Sequence, residues 1–126
     1  MDDQVGQAYA QALLAIARVD REVSPEESSR VRELVAPRSA VAIDFEASFF
    51  EKMTPEILAR TVAAAKADGI AVAHMLIVDG IRLATTDGDL NSAEAHAILR
   101  FAHALGCTDL DITGVTRELD EFFLNR

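Results

Sequence analysis

A single cysteine, Cys107, among 126 residues cannot close an intramolecular disulfide, and that fits a reducing compartment. Positive charge is scarce as well. Twelve Lys and Arg stand against 21 Asp and Glu, for a net charge of -9. Such a balance repels phosphate backbones and anionic lipid, which argues against nucleic acid and membrane surfaces as direct partners and favours cations and basic protein surfaces. Residues 87 to 126 carry eight acids against three bases, so an acidic patch is expected there. Long apolar runs are missing. Ile70 to Ala84, the most apolar stretch, is too short to span a bilayer comfortably and contains His74, Asp79 and Arg82. It reads as a central core helix. The start, Met1-Asp2-Asp3, has neither the basic residues nor the apolar run of a secretory leader, so a cytoplasmic location without membrane insertion is expected.

No segment sustains the alternation of a half-buried strand, whereas nearly every segment repeats apolar residues at helical spacing. The class is all-α, in one domain over residues 1–126, with 50% apolar residues to fill its core. Val5, Tyr9, Leu13 and Ile16 mark a first helix. Ser24-Pro25-Glu26-Glu27 opens a second, with Ser24 as cap, Pro25 in the first turn and Glu27 completing a capping box. Val31, Leu34 and Val35 face inward and Pro37 ends it. Phe45, Phe49, Phe50 and Met53 mark a short third helix that stops before Thr54-Pro55, where a fourth begins with Ile57, Leu58, Val62 and Ala65. Asp68-Gly69 turns the chain into a fifth, Ile70 to about Thr86. Asn91-Ser92-Ala93-Glu94 caps a sixth, with Ile98, Phe101, Ala102 and Leu105 inward and Gly106 at its end. A seventh runs from about Thr108 through Ile112, Val115, Leu119 and Phe122.

Two of these units match at an offset of 67 residues. Asp20-Arg21-Glu22-Val23-Ser24 falls on Asp87-Gly88-Asp89-Leu90-Asn91, Glu27 on Glu94, Val31 on Ile98 and Leu34 on Phe101. Upstream, Ile16 falls on Leu83 and Ala17 on Ala84. Each unit reads as a helix, an acidic loop and a capped helix. The expected architecture is therefore a compact bundle of about seven helices with a pseudo-twofold repeat that brings the two acidic loops together.

Asp87-Gly88-Asp89-Leu90-Asn91-Ser92-Ala93-Glu94, with a first copy at Asp20, resembles the recurring Asp-Gly-Glu-Val-Ser-x-x-Glu pattern of the TerB-like tellurite-resistance family. The first copy departs at Arg21, where that pattern has glycine. The resemblance runs from about Gln11 to Leu119. It implies an all-helical domain associated with metal-oxyanion resistance and with envelope or phage stress, related to a domain that accompanies DnaJ-type co-chaperones. It implies no reaction.

The acids admit two readings. Asp20, Glu22, Glu27, Asp87, Asp89 and Glu94 supply hard oxygen ligands that could hold calcium or magnesium between two symmetry-related loops. Alternatively, Ser24 with Glu27 and Asn91 with Glu94 are capping boxes that satisfy backbone donors. An EF-hand fails, because its sixth position is Ser92 where glycine is required and its twelfth is Ile98 where a bidentate Glu is required.

His96 and His103 share a helix face without a third nitrogen or sulfur ligand, so they read as structural histidines. Gly106 separates His103 from Cys107, which reads as a small buried apolar residue. His74 is expected to be a hydrogen-bonded core residue, and Asp79 to pair with Arg82 along its helix. No phosphate loop, dinucleotide-binding glycine pattern or zinc-protease motif is present. The expectation is a non-enzymatic, stress-associated interaction domain whose acidic face meets a basic protein partner, modulated by a divalent cation. The alternative is a divalent-cation buffer or sensor.

Overall fold

The structure, a computed structural model, describes residues 2–19, 24–38, 52–85 and 92–108. Among them stand five α-helices and one short 3-10 helix, with no strand. We label them α1 (Asp3–Ala17), α2 (Pro25–Val35), the 3-10 helix Ala36–Arg38, α3 (Pro55–Ala64), α4 (Gly69–Ala84) and α5 (Ser92–Ala104). The expected helices at Phe45 to Met53 and beyond Thr108 fall outside the described residues, apart from Met53 and Thr108 themselves. Met53 is non-helical, so it belongs to the approach to α3 and not to a helix of its own, and its side chain is buried. The architecture shown is a five-helix bundle; the count of seven rests on segments outside these residues.

Four of the five helix starts have a local cause among the described residues. Asp2 caps α1, its carboxylate accepting from the Gln4 and Val5 amides. Ser24 and Glu27 form the full capping box of α2: the Glu27 amide donates to Ser24 Oγ and the Ser24 amide to Glu27 Oε1, each at 3.1 Å. Thr54 Oγ1 accepts from the Ile57 amide with Pro55 at the first helical position. Asp68 caps α4 through the Ile70 and Ala71 amides. Such caps contribute about 1 kcal/mol each.

The helix ends differ. Pro37 does not release the chain into a loop, because the backbone tightens from α2 into the 3-10 helix and carries Arg38 back toward the bundle. α3 and α5 finish in the same hydrogen-bonded pattern. The Ala67 amide reaches the Val62 carbonyl and the Lys66 amide that of Ala63; the Cys107 amide reaches Ala102 and the Gly106 amide His103. Both are Schellman closures, which require a left-handed residue. Gly106 supplies it at φ 103°, whereas at the end of α3 it is Lys66, at φ 56°.

The core gathers the inward faces that helical spacing marks out. Val5, Tyr9, Leu13 and Ile16 of α1 are fully buried, as are Val31 of α2, Leu58 of α3 and Leu76 of α4. Burying a large aliphatic side chain contributes about 1.5–3 kcal/mol, so this face dominates over any single cap. α1 and α4 each pack against all four other helices. Two glycines let α4 approach α5. A Cβ at Gly69 would lie 2.6 Å from the Leu105 carbonyl oxygen, and one at Gly80 would lie 3.0 Å from the Ile98 side chain.

The 67-residue offset reappears in helix boundaries. Ala17 and Ala84 end α1 and α4, and Pro25 and Ser92 begin α2 and α5. Glu27 with Glu94, Val31 with Ile98, and Leu34 with Phe101 are buried pairwise.

Candidate functional site

Of the six acids read as cation ligands, Glu27 and Glu94 are described; Asp20, Glu22, Asp87 and Asp89 lie outside the described residues, as does Asn91 of the second capping box. Glu27 and Glu94 are 1% and 2% exposed. A carboxylate so enclosed needs partners in the fold, and Glu27 has one in the Ser24 amide. Its place in the first turn of α2 also suits the positive end of the helix dipole. Among the described residues alone, no three His, Cys, Asp or Glu side chains gather as a metal site.

Among the described residues, Asp79 is the one charged group with no exposure at all. Val72, Leu76, Asp79 and Leu83 lie on the buried side of α4, which turns Asp79 into the core. There it meets Tyr9 of α1, whose hydroxyl donates to Asp79 Oδ2. Arg38 closes the set from the 3-10 helix: Nε donates to Oδ2 at 2.9 Å and Nη2 to Oδ1 at 3.0 Å. This two-pronged geometry is the strong form of a guanidinium–carboxylate pair. It overturns the expected pairing of Asp79 with Arg82, since the carboxylate points across the bundle and both oxygens are taken there.

The environment tunes the phenol and the guanidinium. Burial, followed by the charge of Asp79 and its hydrogen bond, raises the Tyr9 phenol far above its ordinary value, with Arg38 opposing. Tyr9 is therefore held as a neutral donor. Hydrogen bonding to Asp79 raises the Arg38 guanidinium against the lowering effect of its burial. The three groups make a closed, satisfied network that ties α1, α4 and the end of α2 together.

Arg38 was missed as a sequence candidate, yet a signal existed. An acid at a core position of an apolar helix and the chain's single tyrosine at a core position of another both demand polar partners. What no spacing reveals is that the base comes from 41 residues upstream of Asp79.

Beside this network lies an open cavity of about 330 Å³. Val5, Pro37, Ala67, Ala71, Val72 and Met75 give it an apolar wall, and Asp2, Asp68 and Arg38 its charges. Of the histidines, His96 and His103 are exposed on α5. His74 differs from expectation: it is half-buried, but its Nε2 is buried without a hydrogen-bond partner. Cys107 is buried beyond the end of α5.

The family described as tellurite resistance protein TerB matches residues 6–116, from the first turn of α1 to beyond α5. The chain belongs to the TerB family. No curated protein and no solved structure matches it. The TerB match spans both copies of the acidic repeat and all three members of the Tyr9–Asp79–Arg38 network. Among the described residues, no helix is long and apolar enough to cross a membrane.

Proposed function

We propose that this TerB-family chain is a non-enzymatic, stress-associated interaction domain of the cytoplasm, whose two acidic segments, residues 20–24 and 87–91, together engage a basic protein surface. The observation that carries the reading is the matched framing of those segments. Each follows a helix ending at equivalent positions, Ala17 and Ala84, and precedes a helix whose early glutamate, Glu27 or Glu94, is buried. Rigid helix ends related by the repeat would present Asp20, Glu22, Asp87 and Asp89 as one pseudo-twofold face. A divalent cation, calcium or magnesium, bound between them would modulate its charge and thereby the partner's affinity. The family's link to tellurite resistance supports the stress association. The non-enzymatic part draws support from the sequence, which carries no phosphate loop, dinucleotide-binding glycine pattern or zinc-protease motif.

Titration with calcium, magnesium, manganese and zinc, followed by amide chemical shifts, tests the shared face. Shifts at both Asp20 and Asp87, with weaker capture of a basic partner by Asp89→Asn, are expected. Shifts at neither segment at millimolar cation would remove the cation from the reading. Cation binding without any effect on partner capture would make the ion itself the ligand, and the protein a buffer or sensor. Asp89→Asn should leave thermal stability nearly unchanged, while Glu94→Ala should cost about 0.5–2 kcal/mol as a first-turn acid. If Asp89→Asn melts as early as Glu94→Ala in metal-free buffer, Asp89 is a structural acid.

A further inference from the structure

The cavity beside Arg38 lies outside the acidic repeat and has a chemistry of its own. At about 330 Å³ it stands near the lower end of the roughly 300–1,000 Å³ of ligand pockets. Val5 and Val72 line it as buried residues, while Ala71 and Pro37 are exposed on its wall. Asp2 and Asp68 cap the two helices that meet there, and both residues are exposed. In each, Oδ1 accepts the capping amides. Arg38 does not offset these two charges, because its guanidinium is already neutralised by Asp79. The cavity thus couples an apolar wall to an anionic mouth, on a protein of net charge -9.

An anion is disfavoured, because it would meet two carboxylates that already occupy the helix N-termini. A purely apolar group would leave those charges unmatched. We propose that the cavity docks a partner peptide through one large apolar side chain flanked by lysine or arginine, with the apolar group against Ala71, Val72 and Met75 and the flanking cations beside Asp2 and Asp68. The surface is independent of residues 20–24 and 87–91, so it stands or falls apart from the function proposed above.

Asparagine caps helices about as well as aspartate, which makes Asp2→Asn and Asp68→Asn tests of charge that spare the fold. Ala71→Trp would fill the mouth from an exposed position, with circular dichroism confirming an intact helical bundle. The probe is acetyl-Lys-Lys-Leu-Lys-Lys-amide, titrated into the labelled full chain beside the same peptide with serine in place of leucine. The leucine peptide should shift the Val5, Ala71 and Val72 signals and bind several-fold more tightly than the serine peptide. Asp2→Asn combined with Asp68→Asn should weaken it several-fold, as should raised salt, and Ala71→Trp should abolish the cavity shifts. If both peptides shift the same dispersed acidic residues, or neither shifts the cavity residues at millimolar concentration, the proposal is wrong. Unchanged binding by the double Asn variant would equally overturn it. Should Ala71→Trp not fold, the serine peptide and the double Asn variant still decide the matter.

Discussion

Two buried acids in this protein are held in opposite ways. Glu27 accepts from a residue three positions away, within the turn that its own helix creates. Asp79 is satisfied by Arg38 and Tyr9, 41 and 70 positions distant. The first bond forms whenever α2 forms; the second exists only once α1, α4 and the 3-10 helix are assembled. Local pairing therefore stabilises an element, whereas remote pairing makes the arrangement of elements conditional on one another.

The sharpest way to break this contrast is to remove the base. Arg38→Ala would strand a fully buried carboxylate, and removing one partner of a buried pair costs about 3–5 kcal/mol. Because the Arg38 side chain is itself 28% exposed, a loss near 3 kcal/mol is expected in denaturant unfolding. Replacing all three members by apolar residues, Asp79→Leu with Arg38→Met and Tyr9→Phe, should recover much of that loss, since two charges then no longer need desolvation and no buried hydroxyl is left without an acceptor. A triple variant no more stable than Arg38→Ala would show that the geometry of the network, and not its charge balance, holds the 3-10 helix in place.

Tyr9→Phe removes the other remote contact. A hydrogen bond to a charged group contributes about 1.5–3 kcal/mol, so the loss should fall below that of Arg38→Ala. It also has a pH signature. The phenol's folded pKa lies above its ordinary value of about 10, so its contribution is fully present below pH 10 and is lost as pH rises beyond it. Wild-type stability should fall on the alkaline side, and Tyr9→Phe should flatten that fall. Since Tyr9 is the only tyrosine, tyrosinate absorbance reports it alone and should appear together with unfolding. Absorbance rising before unfolding would mean that the phenol is less enclosed than its contacts imply.

Glu27→Ala probes the local acid. Losing its half of the capping box should cost about 0.5–2 kcal/mol, measurable as a shift of the thermal midpoint of about 2–8 °C. A loss as large as that of Arg38→Ala would show that Glu27 also ties α2 to the rest of the bundle, and would erase the contrast.

The same division governs what could be read in advance. The Ser24–Glu27 box, the Thr54-Pro55 start of α3, the Gly106 closure and the core faces of α1, α2 and α5 follow from residues within a turn or two of each other, and all are found. Asp79 was assigned to Arg82, three residues on, because local spacing offers only nearby partners. The Arg38 contact depends on how the 3-10 helix folds back, which no periodicity encodes. Likewise His74 was expected to find a hydrogen bond, but Nε2 lies where none is supplied. The acidic repeat stands out because its two copies are each local.

The smallest effect concerns two helix ends closed by the same pattern with different residues. Lys66 adopts φ 56° where Gly106 adopts φ 103°. A left-handed conformation costs an L-residue about 1–2 kcal/mol, and replacing it with glycine returns that strain less about 0.5–1 kcal/mol for the greater freedom of the unfolded chain. Lys66→Gly should therefore stabilise by about 0.5–1 kcal/mol, and Gly106→Ala should destabilise by a similar amount. No neighbouring atom lies within 4 Å of a Cβ at Gly106, so the second change tests backbone strain without a clash. Lys66 is exposed, so the first removes no packing. Thermal melts of the two variants should move in opposite directions. If Lys66→Gly lowers the midpoint instead, the lysine side chain contributes more at the end of α3 than its backbone strain costs, and the two closures are not equivalent.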